Sequence, residues 1–212
     1  MAPRPYTSSI RQESSAQTRR RIVEAATDLF ARDGYAGTTM PAIAAHAGVS
    51  VQSVHLAGPK SALLMAAFEV ALAGDEGTHP LHERPALASI MQLPPGEALP
   101  AYVHFLAEAN ARTAGVDRAL SVAAESDERV AALVADLNIR RHADIGMAIT
   151  WCEAHGLLHG DVDAEERTET LTYLVAPETY RFFTRERGWS DEHYETWLAD
   201  AIDRLVLRRP EG

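Results

Sequence analysis

The sequence contains one cysteine, Cys152, one lysine, Lys60, and no apolar run approaching the roughly 20 residues needed to span a bilayer. A lone thiol excludes an intramolecular disulfide framework and a thiolate-rich metal centre, and it fits a reducing compartment. The opening MAPRPYTSSIRQESSAQTRRR lacks the apolar segment of a secretory leader, so the chain is expected to be cytoplasmic. Missing as well are alternating β-branched stretches, an internal repeat and a glycine-rich phosphate loop. Their absence argues against sheet folds, solenoids and P-loop nucleotide binders.

What remains is apolar residues at helical spacing. Of the 212 residues 46% are hydrophobic, enough to bury roughly 70% of the unfolded surface in one large core or two modest ones. The net charge of -10 is unevenly spread: residues 1–60 carry seven basic against four acidic side chains, and residues 61–212 carry 13 against 26. A small basic head on an acidic body implies that only the head meets a polyanion.

The first 15 residues are polar, with two prolines and several serines, and read as a flexible arm. Ile22, Ala26, Leu29 and Phe30 predict a helix from Ser15 to Asp33, ended by Gly34. Thr38 or Thr39 caps a second helix, with Pro41 in its first turn and Gly48 at its end. Ser50 caps a short third helix through Leu56, anchored by Val51 and Val54. Pro59 opens a fourth as its first residue, with Leu63, Leu64, Ala67, Phe68 and Ala71 as the buried side. Gly74 to His82 reads as a linker, and LPPGEALP marks a break. Further helices are expected at 97–113, 116–125, 127–156, 163–187 (kinked at Pro177) and 191–208. The fold class is therefore all-α, divided as an arm (1–15), a three-helix head (16–58) and a helical body (59–212).

The stretch AIAAHAGVSVQSVHLAGPKSALL, residues 42–64, has the grammar of a helix-turn-helix: a small residue, Ala44, at the crossing, Gly48 in the turn, and a serine-capped second helix. Such a second helix enters the major groove. Gln52 suits adenine, Val51 a thymine methyl and Ser53 either kind of partner, with His55 exposed beside them. Lys60, at the start of the fourth helix, adds its charge to free backbone amides and suits a phosphate. A plain helical corner fits the same pattern.

Residues 18–50, TRRRIVEAATDLFARDGYAGTTMPAIAAHAGVS, followed by GPKSALL, resemble the N-terminal DNA-binding domain of the TetR family of bacterial transcriptional regulators. The resemblance covers about residues 18–70. It implies that Thr38, Thr39, Gln52, Ser53, His55 and Lys60 lie near DNA, and that the body is a helical ligand-binding and dimerisation domain whose last two helices pair across a two-fold axis. HLAGPK departs from the family, which usually has a pair of aromatic residues and then a phenylalanine after the recognition helix. Here His55, Leu56 and Ala57 occupy a shorter segment, and a tyrosine hydroxyl that would touch phosphate is lost.

For the dimer interface the apolar sides of the last helices nominate Leu174, Tyr180, Phe183, Tyr194, Trp197, Leu198, Ala201 and Leu205, although both sides can equally bury within one subunit. For an effector, helices 97–113, 127–156 and 163–187 are expected to enclose a mostly apolar pocket. Phe105, Met147, Trp151 and Tyr173 would line it and His104, Asn110 or Asp144 would orient the ligand.

HPLHE, His79 to Glu83, has two imidazoles but no cysteine nearby, and Cys152 with His155 lacks an orienting group, so no metal, cofactor or catalytic residue is expected. The expected function is that of a homodimeric repressor, released from a palindromic operator by a small molecule. An all-α small-molecule carrier or enzyme with a degenerate head is the competing reading, and an activator with the same head is a weaker variant, since sequence does not separate the sign of regulation.

Overall fold

The computed structural model describes residues 6–77, 80 and 83–207, with side chains from residue 13 onward. The described residues form ten α-helices and no strand. They are α1 (Tyr6–Gly37), α2 (Met40–Ala47), α3 (Val51–Ala57), α4 (Lys60–Ala73), α5 (Pro85–Ile90), α6 (Pro95–Ala124), α7 (Glu128–Ala154), α8 (Ala164–Leu174), α9 (Pro177–Arg181) and α10 (Asp191–Ala201). π-Helical turns follow α9, at Phe182–Glu186, and α10, at Ile202–Leu207. No single helix among the described residues is long and apolar enough to cross a membrane; the bent pair α3 and α4 meets that test only jointly, across a 74° bend.

Several boundaries differ from the sequence reading. Residues 1–5 of the expected arm lie outside the described residues, but from Tyr6 the chain is helical. No glycine or proline occurs between Pro5 and Gly34, and Gln, Glu and Arg are good helix formers even where no apolar stripe marks them. The helix does break at Gly34, whose φ of 71° leaves helical space. The carbonyl of Pro59 accepts the amide of Leu63, so this proline precedes α4 rather than occupying its first turn. The expected pair 97–113 and 116–125 is one helix, α6. The expected helix 163–187 is divided, because Pro177 starts α9 instead of kinking a continuous helix. The short helix α5 had no counterpart in the reading. His79 and His82 of HPLHE lie outside the described residues.

The chain forms two compact units. One comprises residues 1–70 with 115–131, the other 71–114 with 132–212. The head expected to end at residue 58 thus also takes in most of α4 and a second, later segment. In this first unit α1 buries Ile22, Ala26, Leu29 and Phe30, α2 buries Ile43, Ala44 and Ala47, α3 inserts Val54, and α4 adds Leu63, Leu64 and Phe68. The later segment contributes Val116, Leu120 and Val130. Gly115 lies against α1 so closely that a β-carbon there would stand 2.8 Å from that of Ala31. Close approach, not helix termination, is what this glycine provides.

The core of the second unit combines Val103 and Leu106 of α6, Ile145 and Ile149 of α7, Leu171 and Leu174 of α8, and Tyr180, Tyr194, Leu198, Ile202 and Val206 from α9 onward. Arg167 of α8 is only 2% exposed. Its guanidinium donates to the carbonyls of Val162 (3.1 Å), His159 (2.6 Å), Gly160 (3.2 Å) and Val206. Together with the bond from the amide of His159 to the carbonyl of Leu207, at 2.9 Å, this ties the loop before α8 to the last π-helical turn. A fixed five-donor fork suits such a convergence of carbonyls, since a lysine ammonium could not span them.

Candidate nucleic-acid interface and effector cavity

The turn between α2 and α3 is built by capping. Thr39 has extended backbone and accepts the amide of Ala42 at 3.2 Å. Gly48 closes α2 in the left-handed region (φ 63°, ψ 41°), and the amide of Val49 returns to the carbonyl of Ala44 at 3.0 Å. Arg21 of α1 donates to the carbonyls of Ala47 and, at 3.1 Å, Gly48, while Arg19 donates to that of Ala57 at 2.6 Å. Two of the basic residues in the head therefore satisfy the C-terminal carbonyls of α2 and α3, where positive charge also suits the helix dipole. Ser50 then caps α3, accepting the amide of Ser53 at 3.1 Å.

With Val54 fully buried, α3 turns Val51, Gln52, His55 and Leu56 outward. The expected readers Val51, Gln52 and His55 thus share one exposed face. Ser53 is half-buried and its hydroxyl pairs with that of Ser50 at 2.8 Å. Leu56, 81% exposed, is the most exposed large apolar residue described. It is not among the expected readers, and in sequence it stands out only as part of the divergent HLAGPK segment. Beside α3 runs a groove of about 390 Å³, lined by Ser14, Ser15, Thr18, Arg19 and Ile22 of α1 and by Ser53, Leu56 and Ala57.

Two expected contacts are altered. Thr38 is 1% exposed and its hydroxyl donates to the carbonyl of Gly34 at 2.8 Å, so it secures the α1–α2 join and cannot reach a ligand. Lys60 is half-buried, with its ammonium 4.3 Å from the ring centre of Tyr35. Burial lowers its pKa from the usual lysine value. The Tyr35 hydroxyl donates to Asp127 at 2.9 Å, and burial together with that bond pushes its pKa up to about 12. The same bond holds the Asp127 carboxyl below its ordinary value. Lys60, Tyr35 and Asp127 therefore form a chain of contacts within this unit.

In the second unit, a cavity of about 60 Å³ is bounded by α5, α6, α7, α8 and the last π-helical turn. Leu87, Ile90, Leu99, Ile149, Leu171 and Val206 make most of its wall, with Tyr102, Asp144, Trp151 and Cys152 as the residues bearing polar atoms. Burial raises the pKa of the Tyr102 hydroxyl, so it stays a neutral hydrogen-bonding group. The Trp151 indole donates to the carbonyl of Met91 at 3.1 Å, anchoring the end of α5 to α7.

Of the expected ligand residues, Asp144 and Trp151 line this cavity and the others do not. His104 is exposed and pairs with Glu195 at 3.2 Å, a contact that raises its pKa. Asn110 is buried, donating to the carbonyl of Val175 at 3.1 Å where α8 ends. Phe105 packs against the core, while Met147 and Tyr173 are 44% and 75% exposed. The main miss was α5, whose six residues are too few to show a helical period.

The expected dimer residues also separate. Leu174, Tyr180, Tyr194, Leu198 and Ala201 are buried within the chain itself. Helical periodicity reports which side is buried but not by what. Phe183 and Trp197, whose rings lie 4.4 Å apart, are half-buried, and Leu205 is 50% exposed. Tyr173 and Phe182 are further exposed aromatic residues in this region.

Residues 22–57 match the family described as bacterial regulatory proteins, tetR family. Among curated proteins, none matches the sequence. Solved structures similar in fold include a protein from Rhodococcus sp. described as a TetR-family transcriptional regulator. It is 20% identical, with 90% of this chain and 99% of that one covered and a TM-score of 0.71. A second, described as a transcriptional regulator from Saccharomonospora viridis in complex with choline, is 23% identical over 90% and 98% of the two chains, with a TM-score of 0.69. A third, from Pseudomonas aeruginosa PAO1 and also described as a transcriptional regulator, is 21% identical over 89% of each chain, with a TM-score of 0.65.

Proposed function

We propose that this chain, whose residues 22–57 match the tetR family of bacterial regulatory proteins, acts as a dimeric repressor that a small-molecule effector releases from a palindromic operator. The exposed face of α3 carries this reading: Val51, Gln52 and His55 project from a short helix whose turn and caps are fully built. Gln52 makes a bidentate contact to adenine, Val51 meets a thymine methyl, and Thr39 and Lys60 contact phosphate. Two such heads related by a two-fold axis meet half-sites about one DNA turn, roughly 34 Å, apart.

The effector occupies the cavity beneath α5. At about 60 Å³ the cavity is small against the ~300 Å³ or more of ordinary ligand pockets, so a larger effector must move α5 or the last π-helical turn outward. The choline found in the Saccharomonospora viridis protein illustrates the size class, and the rings of Tyr102 and Trp151 would suit an apolar or cationic small molecule. Release requires the effector to bind the DNA-incompetent arrangement better. A coupling of about 1–3 kcal/mol lowers operator affinity roughly 5- to 150-fold.

The test is selection of bound duplexes from a random pool by the purified full chain, followed by a salt titration on the enriched sequence. The expected result is a palindromic consensus whose binding weakens steeply with salt. A folded protein that enriches no sequence overturns the DNA-reading role and leaves the carrier or enzyme reading in its place.

A further inference from the structure

His142 on α7 faces Glu165 and Glu169 on α8. The two glutamates are four residues apart, so they project from one helix face and repel one another. The imidazole stands between them, Nε2 at 3.5 Å from Glu165 Oε1 and Nδ1 at 3.8 Å from Glu169 Oε1. Both separations exceed normal hydrogen-bond length, so these contacts leave room between the groups. One ligand atom from each residue lies within 4.8 Å of the others. Ligands held about 2.0–2.2 Å from a zinc-sized ion stand about 3.3 Å apart, a contraction that small side-chain rotations supply. The side chains are 39%, 70% and 65% exposed, free to make those rotations and to leave remaining positions to water.

We propose that His142, Glu165 and Glu169 form a binding site for a divalent first-row transition ion that joins α7 to α8. Two carboxylates neutralise the dication, and the imidazole nitrogen selects against Mg²⁺ and Ca²⁺, which prefer all-oxygen ligand sets. It adds an input separate from the apolar cavity, acting on the two helices that contribute Ile149 and Leu171 to the cavity wall.

The experiment is calorimetric titration of the chelator-treated full chain with ZnCl₂, repeated with CoCl₂ to read ligand-field absorption. One site per chain is expected, weakened at least about tenfold in each of H142N, E165Q and E169Q and undisturbed by millimolar MgCl₂. The H79N/H82N double variant should bind as the unaltered chain does. All three proposed ligands are at least partly exposed, so metal-free thermal midpoints should match and a lost site cannot be ascribed to misfolding. Zinc binding that survives H142N, follows H79N/H82N instead, or is absent at millimolar zinc overturns the assignment.

Discussion

Arg19 and Arg21 belong to the basic head, yet both spend their donors on the carbonyls that end α3 and α2. On the proposed reading, sequence specificity then falls to the outward face of α3. Gln52→Ala should relax preference at a single base pair, costing about 1–3 kcal/mol there and little at other positions. Lys60→Ala should weaken every sequence about equally and reduce the salt slope by about 1. Competition binding on single-base operator variants at several salt concentrations separates the two, and a uniform loss from Gln52→Ala would remove it as a base reader. Since the Lys60 ammonium also lies over the Tyr35 ring, Lys60→Arg should retain much of the binding, because guanidinium both stacks and contacts phosphate.

Among the helices, α6 shows how a glycine can carry opposite meanings. In sequence Gly115 looks like a stop; in the fold it is the point where the backbone of α6 passes α1, with Ala31 Cα 3.1 Å from where its β-carbon would be. Gly115→Ala should therefore lower thermal stability despite alanine's helix preference of about 1 kcal/mol. Gly115→Val should lose about 1–3 kcal/mol, a drop of several degrees in midpoint by circular dichroism. A Gly115→Ala protein that melts higher than the unaltered chain would contradict the close approach. The α2–turn–α3 unit was legible because Thr39, Gly48, Ser50 and Val54 each carry a local chemical signal. The cavity was not: its wall draws on five elements, and α5 is too short to announce itself. Burial of Leu174, Tyr180 and Leu198 was legible, but its partner was not, since the same stripe serves a core or an interface.

At the scale of the whole molecule, a net charge of -10 opposes DNA, and the net basic stretch is residues 1–60, with seven basic against four acidic side chains. On the proposed dimeric reading two heads on one operator gain from effective concentration, so separating them should cost about 100-fold or more in affinity for a palindrome. Phe182→Asp combined with Leu205→Glu alters two exposed apolar positions, 39% and 50% accessible in the subunit. It should shift micromolar protein to the monomer mass in sedimentation while leaving the fold intact, and an unchanged dimer mass would place the interface elsewhere. The head itself is not one stretch of chain, since residues 115–131 return to it and bring Val116, Leu120, Val130 and the Asp127 partner of Tyr35. A recombination event that exchanged residues 1–70 alone would therefore import a head missing its own floor. A chimera built on this chain should therefore exchange residues 1–70 and 115–131 together.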